Sequence, residues 1–178
     1  GGAAAGGGAA ASLDLDAGDE GSRCASGSSD VDAILTVMAD VAGAKLELDG
    51  AGDAVDGRDT VAAAGRAAGD CLAAALGDRT GCVGWGNGAA GAASAAINLR
   101  PERPGLYWDA RFADEYLEGG LATEHVERMF RCLCDGAYVS LHVWSTGSGA
   151  GDDALAADVG RAVGAALRGA TECVGPDS

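Results

Sequence analysis

ATEHVERMFRCLCDGAYVSLHV, residues Ala122 to Val143, is the stretch that decides the fold. Val126, Met129, Phe130 and Leu133 recur at three- and four-residue spacing, which places them on one face of a helix over Ala122–Cys134. Gly136 ends that helix. From Tyr138 to Trp144 the period changes to two, the pattern of a strand with one wet face. A helix delivered into a strand through a short glycine turn is a building unit of mixed α and β domains.

The same pattern recurs upstream. Val31, Ile34, Leu35, Met38 and Val41 predict a helix over Asp30–Ala42, capped by Ser29 with Asp32 three residues on and closed by Gly43. KLEL (Lys45 to Leu48) follows as a strand, DGAGDAVDG (Asp49 to Gly57) as a loop, and Asp59–Leu76 as a second helix. Before them, SLDLD (Ser12 to Asp16) alternates leucine with acid and reads as a strand. In the second part of the chain, the glycine-rich run near Gly84 to Gly91 reads as a flexible turn leading into a small-residue strand, Ser94–Leu99. No GK[ST] follows those glycines, so they are not a phosphate-cradling loop of the Walker type. RPERPG is a turn, since its prolines remove ladder donors. Leu106–Phe112 is a strand, STGSGAGDD a loop, and Ala154–Arg168 the last helix.

KLEL with its loop and helix mirrors SLHV with its loop and helix, which is an internal repeat. The expected fold class is therefore α+β: two duplicated half-domains, each a small mixed sheet packed on two helices. The expected division is 12–92 for the first half and 93–170 for the second. GGAAAGGGAAA, residues 1–11, carries no bulky side chain and reads as a low-complexity linker or processed tail, with 171–178 as a second tail.

Composition narrows the function. Leu, Val, Ile and Phe make up 31 of 178 residues, so the core must pack small side chains closely or borrow surface from a partner. The 27 acidic and 12 basic residues give a net charge of -15, which repels phosphate, so nucleic acid is not an expected partner. No run of 18 apolar residues exists, so no membrane span is expected. The six cysteines contain no CxxC, and Cys132 and Cys134 face different sides of their helix, so zinc spacing is absent. They read as reduced small hydrophobes, with the 15 disulfide pairings of six cysteines otherwise open.

The block Ala122–Val143, the GDRTG turn (Gly77 to Gly81), the run Ser12–Leu35 and DGRDTVAAAG (Asp56 to Gly65) together resemble the imidazoleglycerol-phosphate dehydratase family in order and spacing, over roughly Ser12 to Leu167. The resemblance implies a hydro-lyase of histidine biosynthesis with two manganese ions, held chiefly by one H-H-x-x-E motif in each half. Several neutral imidazoles suit a first-row divalent ion.

At the positions that the resemblance assigns to those ligands, this chain carries other residues. The first motif reads Arg58, Asp59 and Ala62; the second reads Asp152, Asp153 and Ala156, or Asp153, Ala154 and Ala157 if shifted by one. Ala33 and Gly136 stand where the family has further histidines. Ala89 and Ala90 replace an acidic pair, Asp40 and Val41 an arginine-histidine pair, and Gly149 a lysine. Arg103 is the one remnant expected on the phosphate side. His125 and His142, the only histidines, lack a second imidazole at ligand spacing. Asp56, Asp59, Asp152 and Asp153 offer oxygen to a hard cation, but Arg58 opposes one, and acids at helix starts are explained by the dipole alone.

The expectation is a catalytically inactive relative that serves as a structural or interaction subunit of a larger protein assembly. It has no catalytic or metal residues and no cofactor. Its partners are other protein subunits, and a homo-oligomer is in doubt because the family's active oligomer depends on metal bridges. The alternative is a divergent dehydratase. Family analogy points to a plastid as the compartment.

Overall fold

Two four-stranded sheets share four helices in the computed structural model, which describes residues 2–6, 9–15, 21–50, 57–147 and 150–174. The first half runs β1 (Gly2–Gly6), β2 (Ala9–Asp14), β3 (Arg23–Ala25), α1 (Ser29–Ala42), β4 (Lys45–Gly50) and α2 (Gly57–Leu76). The second repeats that order as β5 (Trp85–Ala90), β6 (Ala93–Asn98), β7 (Gly105–Asp109), α3 (Glu124–Ala137), β8 (Ser140–Ser145) and α4 (Asp152–Ala170). The sheets have orders β1-β2-β4-β3 and β5-β6-β8-β7, so strand replaces strand one for one. Each is mixed: three strands are antiparallel, and β3 or β7 joins β4 or β8 in parallel. This is the α+β duplication that the repeat implied.

The helices form the layer between the sheets. α2 lies on β1 and β2 and against α3; α4 lies on β5 and β6 and against α1. Each half therefore packs its second helix on the first helix of the other half. The core runs through this layer, with Leu35, Leu46, Val61, Phe130, Met129, Leu141 and Leu155 fully buried.

A chain so poor in bulky residues closes this layer by bringing backbones together. A Cβ on Gly65 or Gly69 of α2 would lie under 3 Å from the carbonyls of Met129 or Leu133 of α3. On Gly160 and Gly164 of α4 it would meet the carbonyls of Ile34 and Met38 of α1 at similar range. Gly86 and Gly88 let β5 lie against α4 in the same way, at the carbonyls of Ala166 and Ala162. Close approach of this kind replaces the area that large side chains would bury.

Several expected boundaries move. The glycine-rich run expected as a turn is strand β5, because Gly86 and Gly88 are contact surface for a helix. Since β5 pairs with β6, the second half begins before residue 93, with Trp85. The linker expected over residues 1–11 contains β1 and the start of β2; Ala9 and Ala11 are buried, their small size being what lets α2 approach. The strand expected over Ser12–Asp16 begins at Ala9, and Asp16 lies outside the described residues. In the expected tail 171–178, residues 171–174 turn back along the segment before β5, and the rest lies outside the described residues. The cap of α1 is Ser28, whose Oγ accepts from the Val31 amide at 3.3 Å; Ser29 is the first helical residue. Most of the loop expected at Asp49–Gly57 lies outside the described residues.

Gly164→Ala is expected to lower stability by about 1–2 kcal/mol in urea unfolding, because overpacking outweighs the ~1 kcal/mol that alanine gains in helix propensity. Gly105→Ala, where a Cβ meets nothing within 4 Å, is expected to stay within about 0.5 kcal/mol. Equal effects at the two positions would contradict the close-approach account.

Candidate functional site

The two halves differ most between their third strand and first helix. Ala25 and Ser29 are almost adjacent in the first half, whereas Asp109 and Glu124 are separated by a long connection in the second. That connection is a strap across the N-termini of the helices. Ala113 N donates to Asp152 Oδ1 at 2.8 Å and Asp114 N to Asp152 Oδ2 at 2.7 Å. Glu118 N lies 3.3 Å from both Asp153 oxygens, and Leu121 N donates to Asp30 Oδ2 at 3.0 Å. Thr123 Oγ1 donates to the Asp114 carbonyl at 2.8 Å, which closes the strap on itself, and Leu117 and Leu121 are buried beneath it.

Asp30 lies in the first turn of α1 and Asp152 opens α4, so both carboxylates also face the positive ends of helix dipoles. Leu121 of the strap and His125 of α3 come closest to where a Cβ on Gly57, at the start of α2, would lie. All four helix N-termini thus gather on one strap. Asp152 is buried, and its two oxygens are engaged by two amides. A carboxylate held in this way is a structural acceptor.

The other sequence-assigned positions distribute as follows. Arg58 and Asp59 are exposed on the first turn of α2, and Ala62 is half-buried one turn on. Gly65 and Gly69 occupy the places in α2 that Gly160 and Gly164 occupy in α4. That register pairs Arg58, Asp59 and Ala62 with Asp153, Ala154 and Ala157. Ala156 falls opposite Val61, and both face the core. Ala33 is exposed on α1. Gly136 sits at the far end of α3, about 18 Å along the helix from its start, with the Arg66 carbonyl 2.9 Å from where its Cβ would be. Gly149 and Asp56 lie outside the described residues.

His125 has its ring largely covered; Nε2 is 3.8 Å from Glu124 Oε1, and Nδ1 is buried with no partner among the described residues. His142 is on the outer face of the second sheet, 4.7 Å from the rings of both Tyr107 and Trp144. Arg103 stands on the rim of a shallow cleft of about 490 Å³ on that same face, with Trp85, Asn87, Asn98, Tyr107 and His142 around it. The structure brings Arg103 and His142 together, but on the sheet face rather than beside the helix starts. Sequence reasoning missed Arg79. It adopts φ 62° in the GDRTG turn and donates to the carbonyls of Leu99 and Tyr138, both at 2.7 Å, and of Ala137. The cation thereby caps the C-terminal end of α3 from the other half.

The family model for imidazoleglycerol-phosphate dehydratase matches residues 27–167, most of the chain. The chain belongs to the imidazoleglycerol-phosphate dehydratase family. Two solved structures of imidazoleglycerol-phosphate dehydratase share its fold. The Staphylococcus aureus enzyme has a TM-score of 0.81 at 20% identity, covering 93% of this chain and 94% of that one. The Pyrococcus furiosus enzyme has a TM-score of 0.77 at 16% identity, covering 97% and 94%.

Manganese, which the resemblance to imidazoleglycerol-phosphate dehydratase implies, does not fit the residues present. No three His, Cys, Asp or Glu side chains converge among the described residues. The best-placed carboxylate, Asp152, already accepts two amides, and Arg58 puts a cation beside Asp59. Nor is any described helix long and apolar enough to cross a membrane.

Asp152→Ala is expected to lose about 3 kcal/mol of stability, since hydrogen bonds to a charged acceptor contribute about 1.5–3 kcal/mol each. It should also open residues 110–123 to limited proteolysis. Asp153→Ala, with its longer contacts, is expected to cost under about 1 kcal/mol, both variants being measured by urea unfolding. A protected strap in Asp152→Ala would show that the strap is held by other means.

Proposed function

We propose that this chain is a catalytically inactive member of the imidazoleglycerol-phosphate dehydratase family, kept as a structural or interaction subunit of a larger protein assembly. The observation that carries the reading is the fate of the acids at the start of α4. Asp152 and Asp153 are the only sequence-assigned ligand positions there with metal-binding side chains, and both are bonded to the amides of the strap. In α2 Arg58 stands opposite Asp153 and Gly57 opposite Asp152, and the glutamate position is alanine in both helices. Imidazolate-like intermediates need a Lewis acid close by, and this donor set offers no imidazole to hold one.

The two sheet faces support an interaction role. The outer face of the first sheet carries Arg23, Lys45, Glu47 and Asp49, joined as ion pairs Arg23–Asp49 and Lys45–Glu47. At the matching places the second sheet carries Tyr107, Ser140, His142 and Trp144. Trp85 and Tyr107 there are 63% and 69% exposed. Grouped exposed aromatics are the surface character of contact sites, whereas paired charges are at home in water.

The purified full chain, incubated with manganese, is expected to retain less than stoichiometric metal by elemental analysis. It should also give no turnover of imidazoleglycerol phosphate above buffer, and its Tm should be unchanged by a chelator. Stoichiometric manganese or measurable dehydration would establish the divergent-enzyme reading instead.

A further inference from the structure

The segment leaving α4 returns along the segment that enters β5. Val83 N donates to the Glu172 carbonyl at 2.9 Å, Gly84 N to Ala170 at 2.8 Å, and Val174 N to Gly81 at 3.2 Å. The first and third of these bonds flank a single antiparallel bridge, Cys82 opposite Cys173. The bonds bracket the two cysteines rather than join them, which makes this a non-hydrogen-bonded pair. Such pairs hold their Cα atoms about 4.5 Å apart with both side chains on the same side. A disulfide requires a Cα separation of about 4.4–6.8 Å. Of all the pairings open to six cysteines, this is the one that the backbone has already set opposite.

We propose that Cys82 and Cys173 are a thiol-oxidation site that closes, by an intramolecular disulfide, the entry to β5 onto the exit of α4. The bond would enclose every element of the second half. Cys173 is exposed and Cys82 half-buried, so the outer thiol is open to reagent and the inner one is held beside it. In the reduced chain Cys82 Sγ donates to the Arg79 carbonyl at 3.5 Å, a weak contact that is readily given up. The other cysteines compete poorly. Cys71 and Cys134 are buried, burial raises the Cys24 and Cys132 thiols, and it pushes Cys134 up to about 12.

The oxidant is a low-molecular-weight disulfide. The Cys173 thiolate attacks one of its sulfurs, releasing one small thiol and leaving a mixed disulfide. The Cys82 thiolate then attacks Cys173 Sγ and expels the second small thiol. Two protein thiols are oxidised, and one small disulfide is reduced to two thiols. The new bond restricts the unfolded chain across a long loop, so the oxidised form is the more stable.

The test uses the full chain, reduced and then incubated with oxidised glutathione. Peptide mapping without reduction is expected to recover the Cys82 and Cys173 peptides joined to each other. Tm should rise by several degrees and fall back on reduction. Cys173→Ser, a change at an exposed position, removes the thiol that meets the reagent and should give no cross-link at Cys82 and no rise in Tm. The proposal is overturned if the two cysteines carry separate glutathione adducts with no cross-link, or if either is joined to another cysteine.

Discussion

Contact between backbones holds this molecule together. Each half sends its second helix to the first helix of the other, and at both crossings paired glycines bring one helix against the carbonyls of its neighbour. A chain with so few large aliphatic side chains gains little from each residue that it buries, since alanine removes little apolar area from water. Dense packing at short interaxial distance restores the dispersion contacts that side-chain bulk would otherwise supply. The buried alanines and the strand status of the glycine-rich segment at β5 follow from that constraint.

Much of the fold could be read directly. The helix and strand within Ala122–Val143 are marked by strong contrast: Phe130 and Met129 face inward, while Glu127 and Arg131 face out and pair with each other at 2.8 Å. Segments such as Trp85–Ala90 lack that contrast. Their buried face is marked by a missing side chain, and a periodicity search has nothing to find there. Ala9 and Ala11 were obscured in the same way: alanine in a low-complexity run looks alike whether it faces water or a helix.

The candidate site was legible only by residue type. That Arg58, Ala62 and Ala157 cannot hold manganese needs no coordinates. The role of Asp152 does, because its partners are backbone amides far along the chain, and amides leave no trace in a sequence. The correspondence of α4 with α2 likewise became readable once Gly160 and Gly164 could be set beside Gly65 and Gly69. Arg79 sat in view within GDRTG, but its three carbonyl partners belong to the other half.

The duplication also has a geometric outcome. Two halves that obey one folding plan would ordinarily give a molecule alike from either side. Here the strands at matching places end in charged groups on one sheet and in rings on the other. The protein consequently has a front and a back, and anything that lies against it can distinguish which way round it sits.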